Sequence, residues 1–291
     1  MKIAAAAYPL TEFAGFADYT AKMDQWVAEA AGKGADLLVF PEYGAMELAS
    51  LGGRAVSNDL EAALHEVARH GGAVEAHLAG LAARHALHIL GPSAPFFIGA
   101  RPVNRAVLYG PEGVIGHQDK QIMTRFEREI WDVVPGQDGL TLFDTALGRV
   151  GVVICYDSEF PLLARHLVEA GAEILLVPSC TDSLAGFTRV RVGSMARALE
   201  NQCVVVHSPT VGLCSFCPAV DENVGAAAIY GPPDKGFPPT GILAQGALDQ
   251  PGWTYADVTL EAIAEVRRDG GVLNHRHWPE QVQRLAAKPQ G

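Results

Sequence analysis

Short apolar runs alternate along the chain with longer stretches whose apolar positions recur at helical spacing. The runs Lys2–Ala7, Asp36–Phe40, His88–Pro92, Arg105–Tyr109, Val114–Gln118, Val150–Ile154, Glu173–Val177, Cys203–His207, Ala226–Ile229, Gly241–Ala244 and Thr254–Val258 predict strands. The stretches Gly15–Lys33, Ala73–His85, Pro161–Ala170, Thr188–Glu200 and Leu260–Arg267 predict helices. Repeated strand–helix alternation, with Gly32, Gly34 and Gly171 in the turns, predicts a layered α/β fold. The turn GPEG between Arg105–Tyr109 and Val114–Gln118 reads as a hairpin, so the sheet is expected to be mixed rather than purely parallel.

No low-complexity linker, internal repeat or composition break divides the 291 residues, and one domain spanning 1–291 is expected, with a core to about residue 268. GPPDKGFPPT at Gly231–Thr240 reads as a long surface loop. The segment 269–291, with HRHWPEQVQRL, reads as a C-terminal arm outside the core, of the sort that packs on a neighbouring subunit.

Composition narrows the class. At 49% apolar and 19% charged residues the chain has the makings of a packed core, which excludes a largely disordered protein. Lys plus Arg number 22 against 33 Asp plus Glu, a formal charge of −11 that repels phosphate backbones and anionic lipid, so neither nucleic acid nor a membrane is an expected partner. Lys2 and the small apolar residues after it resemble a secretion signal, but the run stops at Pro9 and two acids follow, which favours a first buried strand. No run of about 18 apolar residues predicts a membrane span. Five cysteines, an odd number in a long chain, argue against a disulfide framework and for a reducing compartment. A soluble cytoplasmic protein is expected.

Three segments share one grammar, in which an apolar strand ends and a reactive group follows: LLVFPEYG delivers Glu42, GVIGHQDKQIM delivers Lys120, and RVGVVICYDSEFP delivers Cys155. Ligands in α/β sheets gather outside the carboxyl ends of strands, so an acid, an amine and a thiol at three such ends make a candidate site. Taken singly, each has an ordinary reading: Glu42 and Lys120 as solvated strand-end charges, Cys155 as an inert buried hydrophobe. Their combination points to chemistry. A thiol attacks a poor electrophile such as an amide carbon only as a thiolate, which requires a proton acceptor and a nearby positive charge.

At these motifs the chain resembles the nitrilase superfamily of carbon–nitrogen hydrolases, in its amidase/carbamoylase-like branch. The resemblance rests on FPEYG around Glu42, HQDK around Lys120, GVVICYDSEFP around Cys155, VPS at Val177–Ser179 and MARALENQ at Met195–Gln202. It implies a four-layer α-β-β-α sandwich and a Glu–Lys–Cys triad of Glu42, Lys120 and Cys155. It also implies a second glutamate between the lysine and the cysteine. Glu129 is expected to fill that place because of its distance from Pro135-Gly136, with Glu127 as the alternative. The backbone N–H of Tyr156, just past the nucleophile, is the expected second donor to an oxyanion alongside Lys120. Tyr43, Ser179, Cys180 and Thr181 are expected to touch substrate, and Arg197 and Glu200 to be structural.

Tyr156-Asp157 after the cysteine, where true nitrilases carry Trp-Glu, favours amides over nitriles. The implied reaction converts a small carboxamide to a carboxylic acid and ammonia through a thioester acyl-enzyme. An N-carbamoyl substrate, which also releases carbon dioxide, is the runner-up, and a catalytically silent ligand-binding protein or a redox thiol protein using Cys214 and Cys217 are rivals from other classes. No metal is expected: Cys214 and Cys217 have the spacing of a zinc knuckle but no second ligand pair, and His85/His88 and His275/His277 stand without companions. No phosphate-binding loop or cofactor motif is present, so no cofactor is expected. A homodimer or higher homo-oligomer, paired through helix faces, is implied by the resemblance alone.

Overall fold

The structure is a computed structural model that describes residues 1–285, so residues 286–291 of the expected arm lie outside the described residues. Its strands are β1 (Lys2–Pro9), β2 (Leu37–Val39), β3 (His88–Leu90), β4 (Ala94–Ile98), β5 (Arg101–Gly110), β6 (Gly113–Asp119), β7 (Leu142–Thr145), β8 (Gly148–Val152), β9 (Ile174–Ser179), β10 (Val204–Leu213), β11 (Glu222–Asn223), β12 (Ala228–Tyr230), β13 (Ile242–Gln245) and β14 (Gly252–Asp257). In the first sheet β1 runs parallel to β2 and antiparallel to β14, β2 parallel to β3, and β5 antiparallel to β3, β4 and β6. In the second, β8, β9 and β10 are parallel, β7 pairs antiparallel with β8, and β12 and β13 extend the sheet antiparallel beyond β10. The two are stitched where Tyr8 and Pro9 of β1 pair in parallel with Thr210 and Val211 of β10.

The alternation of side chains along β1 shows how the layers stack. Ile3, Ala5 and Ala7 join a core shared with Val152, Leu176 and Val206 of the other sheet, while Ala4, Ala6 and Tyr8 pack with Met23 and Val27 of the helix Phe16–Gly32 and Leu78 of the helix Gly71–His85. The helices Pro161–Glu169 and Leu184–Asn201 bury Leu167, Val168, Val190 and Ala198 against the second sheet. The result is the four-layer α-β-β-α sandwich. Among the described residues no helix is long and apolar enough to cross a membrane.

The predicted strands and helices are all present, with ends shifted by a few residues. The helix expected from Thr188 starts a turn earlier, at Leu184, because the Ser183 hydroxyl accepts from Gly186 N and caps it there. The helix Leu60–Arg69 and the strands β4, β7 and β11 are additions to the sequence reading. That helix carries a legible signal: Asp59 caps Ala62 N, and Ala63, Leu64 and Val67 form its buried face. From Asn274 to Leu285 the arm has no buried residue.

Strand direction decides where the chemistry lies. Because β5 turns back between β3 and β6, β6 runs the same way as β1, β2 and β3, and through the β1–β10 pairing the same way as β8 and β9. Glu42, Lys120, Cys155 and Cys180 each follow the carboxyl end of one of these strands and therefore emerge on one edge of the sandwich.

Gly151 of β8 measures how closely the outer helix seats on the sheet, since a Cβ there would lie 2.8 Å from Leu167 Cδ1 and 3.1 Å from Leu175 Cδ2. Gly151→Ala is expected to lower the unfolding free energy by about 1–3 kcal/mol through overpacking. Urea titration followed by circular dichroism measures this, and wild-type stability would mean that the helix can shift outward at no cost.

Candidate active site

Cys155 sits in a left-handed backbone conformation, φ +50°, at the head of the tight turn Cys155–Glu159 that leads into the helix Pro161–Glu169. A non-glycine residue holds that conformation only when its surroundings fix it. Here the Ser158 hydroxyl donates to Cys155 O at 2.6 Å, and the buried Arg197 Nη1 donates to Ser158 O at 3.0 Å while Glu200 grips the same guanidinium. Arg197 and Glu200 thus serve the elbow's shape, as expected. The turn presents Tyr156 to the same cavity as the thiol.

Lys120 is only 1% exposed, and its ammonium is held between two carboxylates, 2.7 Å from Glu42 Oε1 and 2.7 Å from Glu127 Oε2. Glu42 also accepts from Asn104 Nδ2 and from Cys180 N, both at 2.9 Å, so each of its oxygens has a fixed partner. Asn104 is in turn positioned by Ser93, whose hydroxyl donates to Asn104 Oδ1 at 2.6 Å and accepts from Tyr43 N at 2.8 Å. Glu127 accepts from Tyr43 OH at 2.8 Å and from the backbone and hydroxyl of Thr124.

This arrangement corrects the expectation for the second glutamate. Glu129 is exposed and pairs with Arg125 at 2.7 Å, whereas Glu127 is the buried acid on Lys120. The reason is the π-helical turn Glu127–Trp131, which carries Glu127 and Trp131 inward and leaves Arg128, Glu129 and Ile130 facing solvent. Ser179 also departs from expectation: it is fully buried, hydrogen-bonded to His207 Nε2 at 2.8 Å, and is not part of the cavity wall. Tyr43, Cys180 and Thr181 do line the cavity, together with Phe126, Trp131 and Val220 among others. Asn104, Ser93 and Thr124 are polar partners that motif reading missed. A buried asparagine inside the apolar strand RPVNRAVLYG was the available signal.

Burial sets the protonation of the group. Burial pushes Glu42 up from the ordinary carboxylate value, with Lys120 opposing and the charge of Glu127 reinforcing the rise. Burial also pushes the Cys155 thiol well up, aided by the charge of Glu42 and opposed by Lys120. For Lys120 burial works against the charged form, but Glu127, Glu42 and Cys155 together hold it well above its usual range. Burial works against ionised Glu127 too, yet Lys120 and Thr124 bring it below its usual value. The resting site therefore contains a neutral thiol, an ammonium, an ionised Glu127 and, in Glu42, a carboxylate with heightened basicity.

The cavity has a volume of about 400 Å³, the size of a small-molecule site. Away from it, His117, Asp119 and Asp138 bring three potential ligand atoms within 4.8 Å of one another, but Asp119 already holds Arg105 through two contacts of 2.7 and 2.8 Å. Cys214 and Cys217 are buried thiols, and burial pushes them up to about 12 and about 11, which disfavours the thiolates that metal binding requires.

The model of the carbon–nitrogen hydrolase family matches residues 2–268. Among curated proteins the chain is 31% identical over 272 residues to the probable hydrolase YhcX of Bacillus subtilis (strain 168), covering 94% of this chain and 52% of that protein, so it spans about half that relative's length. It is 28% identical over 293 residues to the deaminated glutathione amidase of Synechocystis sp. (strain PCC 6803 / GT-S), covering 94% of this chain and 97% of that one. Among solved structures, the carbon–nitrogen hydrolase from Helicobacter pylori G27 superposes with a TM-score of 0.76 at 19% identity, over 98% of this chain and 95% of that chain, which shows a shared fold. With the family model accounting for nearly the whole sequence and the sandwich recurring in that structure, this chain belongs to the carbon–nitrogen hydrolase family.

Proposed function

We propose that the protein hydrolyses the carbon–nitrogen bond of a small carboxamide, with Cys155 as nucleophile, Glu42 as general base and acid, and Lys120 as electrostatic partner. The observation that carries this reading is the buried Lys120 ammonium clamped at 2.7 Å by both Glu42 and Glu127, in a cavity that also holds the Cys155 thiol. A neutral thiol beside a carboxylate of raised basicity calls for proton transfer in concert with attack.

In this mechanism Cys155 Sγ bonds to the amide carbon as its proton passes to Glu42, and the carbonyl electron pair moves onto oxygen. The Lys120 ammonium and the Tyr156 N–H receive that oxyanion. Glu42 returns the proton to the nitrogen, the carbon–nitrogen bond breaks, and ammonia leaves a thioester on Cys155. Glu42 then deprotonates a water that attacks the thioester, releasing the carboxylic acid and restoring the thiol. Glu127, ionised and braced by Tyr43 and Thr124, keeps Lys120 charged and aimed. The name of the Synechocystis relative, an amidase, supports the choice of amides.

The test is ammonia release from a panel of small carboxamides and N-carbamoyl amines, with intact-mass detection of an acyl adduct. Cys155→Ala is expected to abolish both signals with the fold retained, and turnover by that well-folded variant would sink the mechanism.

Glu127→Gln and Glu129→Gln separate the two neighbouring acids. The first is expected to reduce kcat by about 10²-fold through misplacement of Lys120, and the second to stay within about twofold of wild type as a surface change. Equal effects would refute the assignment of Glu127.

Because Glu42 must be ionised to accept the thiol proton and its folded value is raised, kcat/KM is expected to fall with decreasing pH at a midpoint above the ordinary carboxylate value of about 4. A pH–rate profile checks this, and full activity down to pH of about 4 would contradict the role of Glu42.

A further inference from the structure

The Asp157 side chain is fully buried and is used by no step of the mechanism above, yet it lies between the two loops that carry Lys120 and Cys155. Its carboxylate accepts from three backbone amides: Ile122 N at 2.8 Å on Oδ1, Ile154 N at 3.2 Å on Oδ2, and Gln121 N at 3.2 Å from both oxygens. Two of these donors directly follow Lys120, and the third directly precedes Cys155. Among the described residues no cation makes an ion pair with the carboxylate, and its partners are the peptide groups of two loops far apart in sequence.

We infer that Asp157 is a positioning residue, a carboxylate staple that fixes the distance and orientation of the Lys120 ammonium relative to the Cys155 thiol. The inference rests on the proposed roles of those two residues. Among the described residues, the other contacts near these loops that cross between the halves go through Cys180, whose N–H donates to Glu42 at 2.9 Å and whose carbonyl accepts from Cys155 Sγ at 3.9 Å, and not through the backbone beside Lys120. The remaining contacts of the elbow, through Ser158, Arg197 and Glu200, tie Cys155 to the helix Leu184–Asn201 and not to Lys120. On the other side, Lys120 N donates to Asn104 O and Lys120 O accepts from Gly136 N, which anchor Lys120 within its own sheet. The staple thus ties the backbone just after Lys120 to the backbone just before Cys155, alongside the Glu42–Cys180 contact that also crosses the catalytic edge.

A carboxylate suits this place better than an amide. Three N–H donors converge on it from two directions, and both oxygens are engaged, whereas asparagine offers one oxygen and would aim its own N–H₂ at a donor. Burial pushes the Asp157 carboxyl up to about 7, with the charge of Lys120 and the three amides acting in the opposite direction. Ionisation of Asp157 is thus favoured first by the charge of Lys120 and then by the three amides that make it a staple.

Asp157→Asn tests the inference by steady-state kinetics on the best amide of the panel, alongside Cys155→Ala. The expected result is a kcat lower by about 10²-fold with KM within about threefold, because substrate still enters an intact cavity while the thiol and ammonium are misaligned. A merely structural role would lower the melting temperature and the amount of active protein while leaving kcat per active site, titrated by iodoacetamide labelling of Cys155, at the wild-type value; that result overturns the inference. If Asp157→Asn does not fold, amide hydrogen exchange on the wild-type protein decides: Gln121, Ile122 and Ile154 N–H are expected to be protected together, and free exchange at Gln121 and Ile122 overturns the staple. Turnover by Cys155→Ala would instead overturn the proposed function itself, which keeps the two failures distinct.

Discussion

The arrangement of this protein depends on a buried ammonium. Lys120 is sealed inside the sandwich edge, and a lone cation there would shed its proton or unfold its surroundings. Two carboxylates prevent that, but a pair of acids around one cation leaves an excess negative charge in the same buried space. The structure divides that excess unequally. Beyond Lys120, Glu127 takes three donors, from Tyr43 and from the N–H and hydroxyl of Thr124, and falls below its usual value, while Glu42 takes two, from Asn104 and Cys180, and is left as the more readily protonated member. An asymmetry in hydrogen bonding thus becomes a division of labour between two chemically identical side chains.

The fold exists, in this view, to bring strand ends to one edge. A single sheet would place an acid, an amine and a thiol in a row, whereas two sheets joined through β1 and β10 fold that row over, so Cys180 N of the second sheet reaches Glu42 of the first at 2.9 Å. Glu42 is consequently held by both halves: by Lys120 and Asn104 from one and by Cys180 from the other.

Much of this was legible in the chain. Glu42, Lys120 and Cys155 each follow an apolar strand, and burial of that strand dictates where the next residue emerges, so period and position were enough to nominate them. Glu127 was not chosen over Glu129 because ERE offers two acids on one turn, and which faces inward depends on a π-helical turn, whose Trp131 packs on Tyr43 at 4.8 Å between ring centroids. Asn104 and Ser93 escaped for a related reason: a buried polar residue has meaning only when its partner is known, and Asn104 on β5 is joined to Glu42 and Ser93 in the loops that follow β2 and β3. Ser179 was mistaken for a contact to substrate because the strand β9 ends two residues later than the predicted Glu173–Val177, leaving the serine beside His207 and giving the opening to Cys180.

The pairing of β1 sets a schedule for the chain as it is made. β1 is built within the first ten residues, yet its neighbours in the sheet include β14 at Lys2–Asp257 and β10 at Tyr8–Thr210. Until those strands leave the ribosome, an alanine-rich strand with open edges has only β2 beside it, and the first sheet cannot close. Such remote pairings slow folding and leave the edges of β1 open until the residues of β10 and β14 have been made. The strand that comes first in the sequence is therefore among the last to be finished.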